Sequence, residues 1–321
     1  MSINRLILPA WVMLNTLVGA SLVSQNGSLV PASQGARPSP YLGQPLPTVL
    51  PERFAPGVVS TDDAIELNGV FAPDLKEFFF ARLIAGVQTM FHSELVDGVW
   101  TVPRELLLFP GQTRAVADDM ALSPDGRELY FLGSHPGGVG ATDIWRSRRV
   151  DGKWSTAEVL PPPINTNAGE VYPIVVGDGS LYFTSSRAGG SGPRSSLYRA
   201  QRLKDGSFAP PVLVPAPINS EFGIGDTYVS PDESYMVFGS SRPPSLGSGD
   251  LFVSFRRNDG GWSEPAHLGE TINTEDTDFC PMVTPDGKYL FFSRRRGASW
   301  KEATAGDVYW VDAKVLEQVR R

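Results

Sequence analysis

Few residues in this chain carry chemistry. Its 321 residues include one cysteine and three histidines. A single cysteine excludes an intramolecular disulfide, and Cys280, set in a strand-like run, reads as a small buried hydrophobe. There is no nucleophile elbow G-x-S-x-G, no H-E-x-x-H, no P-loop and no Cys/His metal spacing. The turns lack the dense oxygen-ligand spacing of a calcium loop, so neither a metal nor another cofactor is expected. No basic stripe offsets the formal charge of -7, which excludes nucleic acid and anionic membrane surfaces as expected partners. A long unbroken apolar run is missing too. Residues 6–23 are mostly apolar but are interrupted by Pro9, Asn15 and Thr16. With Arg5 ahead of them and Val18-Gly19-Ala20 near their end, they have the form of an export signal rather than of a permanent span. No cysteine follows, which excludes a lipoprotein anchor. Residues 24–44, rich in Ser, Gly, Pro and Gln, read as a flexible linker.

Glycine and proline are plentiful, at 33 and 28 residues. They suit many short strands joined by turns. One phrase recurs. Ser123-Pro124-Asp125-Gly126 has counterparts in Ala72-Pro73-Asp74-Leu75, Gly177-Asp178-Gly179, Ser230-Pro231-Asp232-Glu233 and Thr284-Pro285-Asp286-Gly287. Copies at a period of roughly 50 residues mark a propeller or similar array. In each copy Pro pre-sets φ, Asp bonds back to the chain and Gly supplies positive φ. An apolar strand follows, as in Leu129-Tyr130-Phe131, then a Gly-rich loop, then a third strand such as Asp143-Ile144-Trp145. An aromatic residue opens the fourth: Trp100, Trp154, Phe208 and Trp262. The fifth copy stops after its third strand, and Pro51-Glu52-Arg53-Phe54 offers the missing one. The expected fold is all-β: a five-bladed propeller of four-stranded antiparallel blades, the last completed by the N-terminal strand. The expected boundaries are a signal peptide or anchor at 1–23, linker at 24–44, propeller at 45–313 and a short helical tail at 314–321.

The runs S-P-D-G-x-x-L-Y-F followed by D-I-W or D-L-F resemble the WD40-like repeats of TolB-type propellers. That resemblance implies an exported, periplasmic or extracellular bacterial protein, with protein–protein contacts in the cell envelope. TolB itself is a six-unit propeller, whereas this chain has five units.

Residues present in every blade are explained by folding, and so are Asp143, Asp250 and Asp307, each opening a third strand. Function concentrates on variable loops over a rigid scaffold. The loops at 135–142, 187–195, 242–249 and 294–306 lie on the face opposite the Ser-Pro-Asp-Gly turns, so a mouth is expected there. Two sets are placed at it. Glu66, Asp118, Asp119, Glu170, Asp226 and Asp278 are acidic. Arg82, Arg187, Arg242 and Arg296 are basic, with His135 in the corresponding place of the second blade. The competing reading of both sets is ion pairing and loop capping. The functional expectation is a monomeric, non-catalytic propeller binding a protein or a small polar ligand. The alternatives are a glycosidase using mouth carboxylates, and a structural module with an apolar patch.

Overall fold

The computed structural model describes residues 39–112, 114–187, 189–190, 195–297 and 302–320. The export-signal expectation, most of the linker and parts of the 187–195 and 294–306 loops lie outside the described residues.

Five antiparallel sheets form a ring, the five-bladed propeller expected from the repeats. Blade 1 runs from an innermost strand Glu66–Phe71 through Glu77–Ile84 and Val87–Val96 to an outer edge split into Val99–Trp100 and Arg104–Glu105. Blade 2 repeats this with Val116–Leu122, Glu128–Ser134, Asp143–Val150 and the split edge Lys153–Trp154 and Glu158–Val159. Blade 3 is Glu170–Val175, Leu181–Ser185, Ser196–Ala200 and Val212–Leu213, and blade 4 is Thr227–Val229, Tyr235–Ser240, Asp250–Phe255 and Ala266–His267. Blade 5 takes Thr277–Val283, Tyr289–Arg296 and Ala305–Asp312 from the C-terminal end and Glu52–Arg53 from the N-terminal end. Glu52 pairs with Trp310 and Arg53 with Tyr309. The closure is packed as well as hydrogen-bonded. Fully buried Phe54 meets Phe71, Phe78, Phe291 and Trp310 at ring-centroid distances of 4.8 to 6.1 Å. Closing a sheet array this way removes its open edges. Val315–Gln318 forms one helical turn beyond the last strand.

The turn chemistry follows the sequence. Asp125 accepts from Ser123 Oγ and from the Arg127 amide, and Gly126 sits at φ 68°. Blades 1 and 4 place Leu75 and Glu233 in that left-handed position, at φ 58° and 57°. Neighbouring blades are sewn together by buried asparagines. Asn165 bonds the Ile144 amide and the Ile144 and Leu160 carbonyls. Asn219 does the same one blade on with Leu197 and Val214, and Asn273 two blades on bonds the Leu251 amide and carbonyl and meets His267 in place of a second carbonyl. Asp143 and Asp250 accept from the amides of their own loops, as expected, whereas Asp307 accepts from Arg53 of the closing strand.

One backbone feature positions the site. The innermost strands of blades 1, 2, 3 and 5 each carry a register shift, at Leu67/Gly69, Asp118/Ala121, Val171/Ile174 and Phe279/Met282. Within these bulges Asn68, Asp119, Tyr172 and Cys280 take φ of 50°, 52°, 55° and 48°. A non-glycine residue held there costs on the order of 1–3 kcal/mol. A bulge re-aims a side chain that the pleat would turn elsewhere, and here it delivers one residue per strand to the propeller axis.

Candidate functional site

Asn68, Asp119, Tyr172, Asp226 and Cys280, one from each blade, line a small space of about 10 Å³ on the axis. The Cys280 thiol donates to Asp226 Oδ1 at 3.1 Å and lies 3.8 Å from Asp119 Oδ1. Asp118 stands behind them, accepting from the Asp119 amide at 2.7 Å and from Gln88 at 3.1 Å. Asp118, Asp119 and Cys280 are buried. Burial pushes the Asp118 carboxyl up to about 7. Burial together with the neighbouring carboxylates raises Asp119 well above its usual range. Asp226 is raised by burial, against the opposing pull of the Cys280 bond and the Arg295 charge. Tyr172 is raised first by the charge of Asp226 and then by burial, and Cys280 first by burial and then by Asp226. Crowded buried carboxyls resist ionisation in this way.

Two larger cavities flank the ring. On the loop face, about 310 Å³ is lined by Tyr172, Phe222, Asp226, Ser240, Thr277 and Asp278, among others. On the face of the Ser-Pro-Asp-Gly turns, about 290 Å³ is walled by apolar groups: Val70, Leu122, Val175, Tyr228 and Val283, with Pro73, Pro124, Pro231 and Pro285 at the rim. Met282 faces both this basin and the axial space, and it packs against four of the five hydrophobic clusters. It is the floor that separates basin from ring.

The eleven residues expected at a loop-face mouth separate into two groups, Asp118 standing behind the ring as described. Asp119 and Asp226 reach the axis. Most of the others brace the blades. Glu66, Glu170 and Asp278 are completely buried, and each accepts from a threonine of the preceding link: Thr61, Thr166 or Thr274. Arg82, Arg187 and Arg294 bind these acids at 3.0, 3.2 and 2.7 Å. They also donate to link carbonyls: Val58 and Val59 from Arg82, Pro163 and Ile164 from Arg187, Ile272 from Arg294. Arg242 makes the same bonds to Pro217 and Ile218 with no acid beside it, and burial lowers its pKa. Each of these four guanidiniums stacks over two rings, one from the second and one from the third strand of its blade, at 4.8 to 5.7 Å. Blade 5 uses Arg294 for the brace, and Arg296, two residues on, is exposed at the strand end. Blade 2 has His135 instead, stacked on Phe109 at 4.7 Å and edge-on to Trp145. Burial outweighs the cationic partners and raises the Glu66 and Asp278 carboxyls.

The loops of that face are pinned as well. A Cβ on Gly140 would lie 2.2 Å from the Ala168 carbonyl oxygen, and one on Gly247 would lie 1.8 Å from that of Asp276. These glycines allow each loop to press on the next blade, so part of the glycine content serves docking between blades. His267 bonds Asp250 and Asn273 within the same sewing rather than standing as a plain surface residue. Cys280 is buried as expected, but against carboxyls rather than among hydrophobes alone.

The ring carries a sequence signal that the residue types hide. Each member stands four positions before its turn copy begins: Asn68 before Ala72, Asp119 before Ser123, Tyr172 before Val176, Asp226 before Ser230 and Cys280 before Thr284. Four residue types over five copies of one position make the ring, whereas the braces repeat acid and arginine.

No family model matches this chain, and no curated protein matches it. Solved structures do. The catalytic domain of a GH62 alpha-L-arabinofuranosidase from Coprinopsis cinerea superposes with a TM-score of 0.51 at 11% identity, over 83% of this chain and 97% of that one. A BT0996 complex with RGII gives 0.52 at 9% identity, over 83% and 91%. TolB from Acinetobacter baumannii gives 0.46 at 14% identity over 78% of this chain, which spans 57% of the TolB chain. At these identities the likeness is one of fold, and the site has to be read from its own residues.

Proposed function

We propose that this chain is a non-catalytic binding propeller, exported by its N-terminal segment, that captures a segment of a partner protein at the turn-face basin. The observation that carries the reading is the apolar cavity of about 290 Å³ whose rim prolines Pro73, Pro124, Pro231 and Pro285 are each followed in sequence by an aspartate. Its size, at the bottom of the range of roughly 300–1,000 Å³ for small-molecule sites, suits one anchoring side chain of a partner better than a whole cofactor. Such buried apolar anchors dominate many protein interfaces.

The rim selects the flanks of that anchor. Asp125 and Asp232, each following a wall proline, are held below the usual carboxylate range by hydrogen bonds, first of all from Ser123 and Ser234. Partial burial works against Asp178 and Asp286, yet donors led by Ser180 and Tyr41 outweigh it and lower them too. Asp178 and Asp286 are also paired with Arg199 and Lys288, each at 3.0 Å, so the acidity of this face rests on Asp125 and Asp232, and it matches a partner segment with a Leu or Phe beside Lys or Arg.

The glycosidase alternative needs an acid and a second carboxylate facing an open cleft with room for sugar and water. Asp226 and Asp278 do wall the loop-face cavity of about 310 Å³, but Asp119 meets Asp226 only across a space of about 10 Å³, and Glu66, Glu170 and Asp278 are each tied to an arginine. Both points favour binding over hydrolysis.

Fluorescence polarisation with peptides carrying Leu or Phe between basic residues, and with acidic-flanked counterparts, tests the reading. The basic set is expected to bind with affinity that falls steadily from low to physiological salt, and the acidic set is expected not to bind. Equal binding of both sets would discard the rim's role. Binding of oligosaccharides with turnover, and of no peptide, would discard the reading altogether.

A further inference from the structure

We propose that the propeller axis holds a single divalent metal ion of the zinc class, ligated by Asp119, Asp226, the Cys280 thiolate and the side-chain oxygen of Asn68. This inference does not depend on the basin reading.

The candidate ligand atoms of Asp119, Asp226 and Cys280 all lie within 4.8 Å of one another. In a tetrahedral site with Zn–S near 2.3 Å and Zn–O near 2.0–2.2 Å, ligand-to-ligand edges come to about 3.3–3.6 Å. The two sulfur–carboxylate separations, 3.1 and 3.8 Å, bracket that range.

Asn68 supplies an independent pointer. It is 5% exposed and lines the same small space, and its Oδ1 accepts no hydrogen bond from any described residue. A buried acceptor without a donor carries a desolvation cost with nothing to offset it. A cation at the centre of the ring gives that oxygen a partner. It also relieves the mutual repulsion of Asp118, Asp119 and Asp226. The space, about 10 Å³, is close to the roughly 10–15 Å³ that one water occupies by this kind of measure. It fits one ion and no larger ligand.

The donor set chooses among ions. Calcium and magnesium take oxygen ligands, more of them and without sulfur. A thiolate beside carboxylates favours zinc and its late-transition-metal neighbours. On uptake, the Cys280 S–H bond breaks and the sulfur pair binds the metal; its proton, together with any proton held by the Asp119 and Asp226 carboxyls, leaves to the buffer, with no change in oxidation state. Tyr172 and Asp226 also wall the loop-face cavity of about 310 Å³, which gives the ion its route from solvent. The other cluster of ligand-type side chains, Glu77, His92 and Glu94, differs in kind: there Arg149 already satisfies Glu77 at 2.7 Å.

Cobalt titration of the chelator-treated full chain tests the proposal. One equivalent of Co2+ is expected to give tetrahedral visible bands and a near-ultraviolet sulfur-to-cobalt charge-transfer band, and zinc is expected to displace it. Zinc is also expected to raise Tm, since it binds only the folded chain. Asn68→Gly, which keeps the left-handed backbone accessible, is expected to weaken zinc at least tenfold while retaining the charge-transfer band. Cys280→Ser is expected to remove that band. The wild-type spectrum alone is decisive should a variant fail to fold. Absence of cobalt and zinc binding at micromolar concentration would overturn the proposal. So would a bound cobalt without the thiolate band, or calcium competing on equal terms.

Discussion

Replacing Arg187 by alanine is expected to destabilise the propeller by about 3–5 kcal/mol while leaving capture of a basic peptide intact in the folded fraction. Arg187 faces Glu170, whose side chain is fully buried, at 3.2 Å. It also bonds the Pro163 and Ile164 carbonyls of the link into its blade and lies over Phe183 and Tyr198. Removing it strands a buried carboxylate, two buried carbonyls and two ring faces together. Glu170 keeps Thr166 and Ser185 as donors, which is why the brace is weakened rather than dissolved. Glu170→Gln added to Arg187→Ala is expected to restore part of the loss, because the neutral amide no longer needs a counter-charge. Chemical denaturation of the four proteins of that cycle gives the coupling directly. A loss below about 0.5 kcal/mol, the scale of ordinary surface substitutions, would mean that the arginine is no brace and would make it a ligand-binding residue again.

The second large effect is expected from Val175→Trp. Val175 is half-buried at the end of an innermost strand and forms part of the basin wall. An indole there occupies a good share of the available volume of about 290 Å³, while its near end keeps the edge position that Val175 holds beside the cluster of Tyr130, Ile144 and Leu181. Peptide affinity is expected to fall at least tenfold with Tm changed by only a few degrees. Unchanged affinity in a folded Val175→Trp protein would exclude the basin as the anchor site. Paired with Arg187→Ala, the two variants separate stability from binding in opposite directions.

The fold was legible in the residues because each blade restates it. The Pro-Asp-Gly turns, the paired aromatic strands and the truncated last copy led to a five-bladed ring closed by Glu52 and Arg53, in agreement with the TolB-type repeat pattern. The site was legible only in part. Acids near the start of the innermost strand look alike in sequence, yet they fall on two geometries. Glu66, Glu170 and Asp278 stand two positions ahead of the ring residue of their blades and turn into the braces. Asp119 and Asp226 occupy the ring position itself. What separates them is the position along the strand, marked in blades 1, 2, 3 and 5 by a bulge, a backbone event that leaves no residue-type signature when its occupant is Asn, Asp, Tyr or Cys in turn; Asp226 reaches the same place without one. The grounds for proposing the turn face are hidden in the sequence for a related reason. Loops rich in glycine read as variable and free, whereas Gly140 and Gly247 let theirs press against the next blade. The turns, uniform and therefore assigned to folding, enclose the apolar basin with their prolines. Repetition at one position is compatible with a site when five copies converge on one axis.

Hydrogen exchange with and without a bound basic-flanked peptide places the contact on one face or the other. Capture at the basin predicts slowed exchange in residues 121–128, 228–235 and 282–289, around the turns, with the loops at 135–142 and 242–249 unchanged. Protection confined to those two loops, with the turns unaffected, would contradict it.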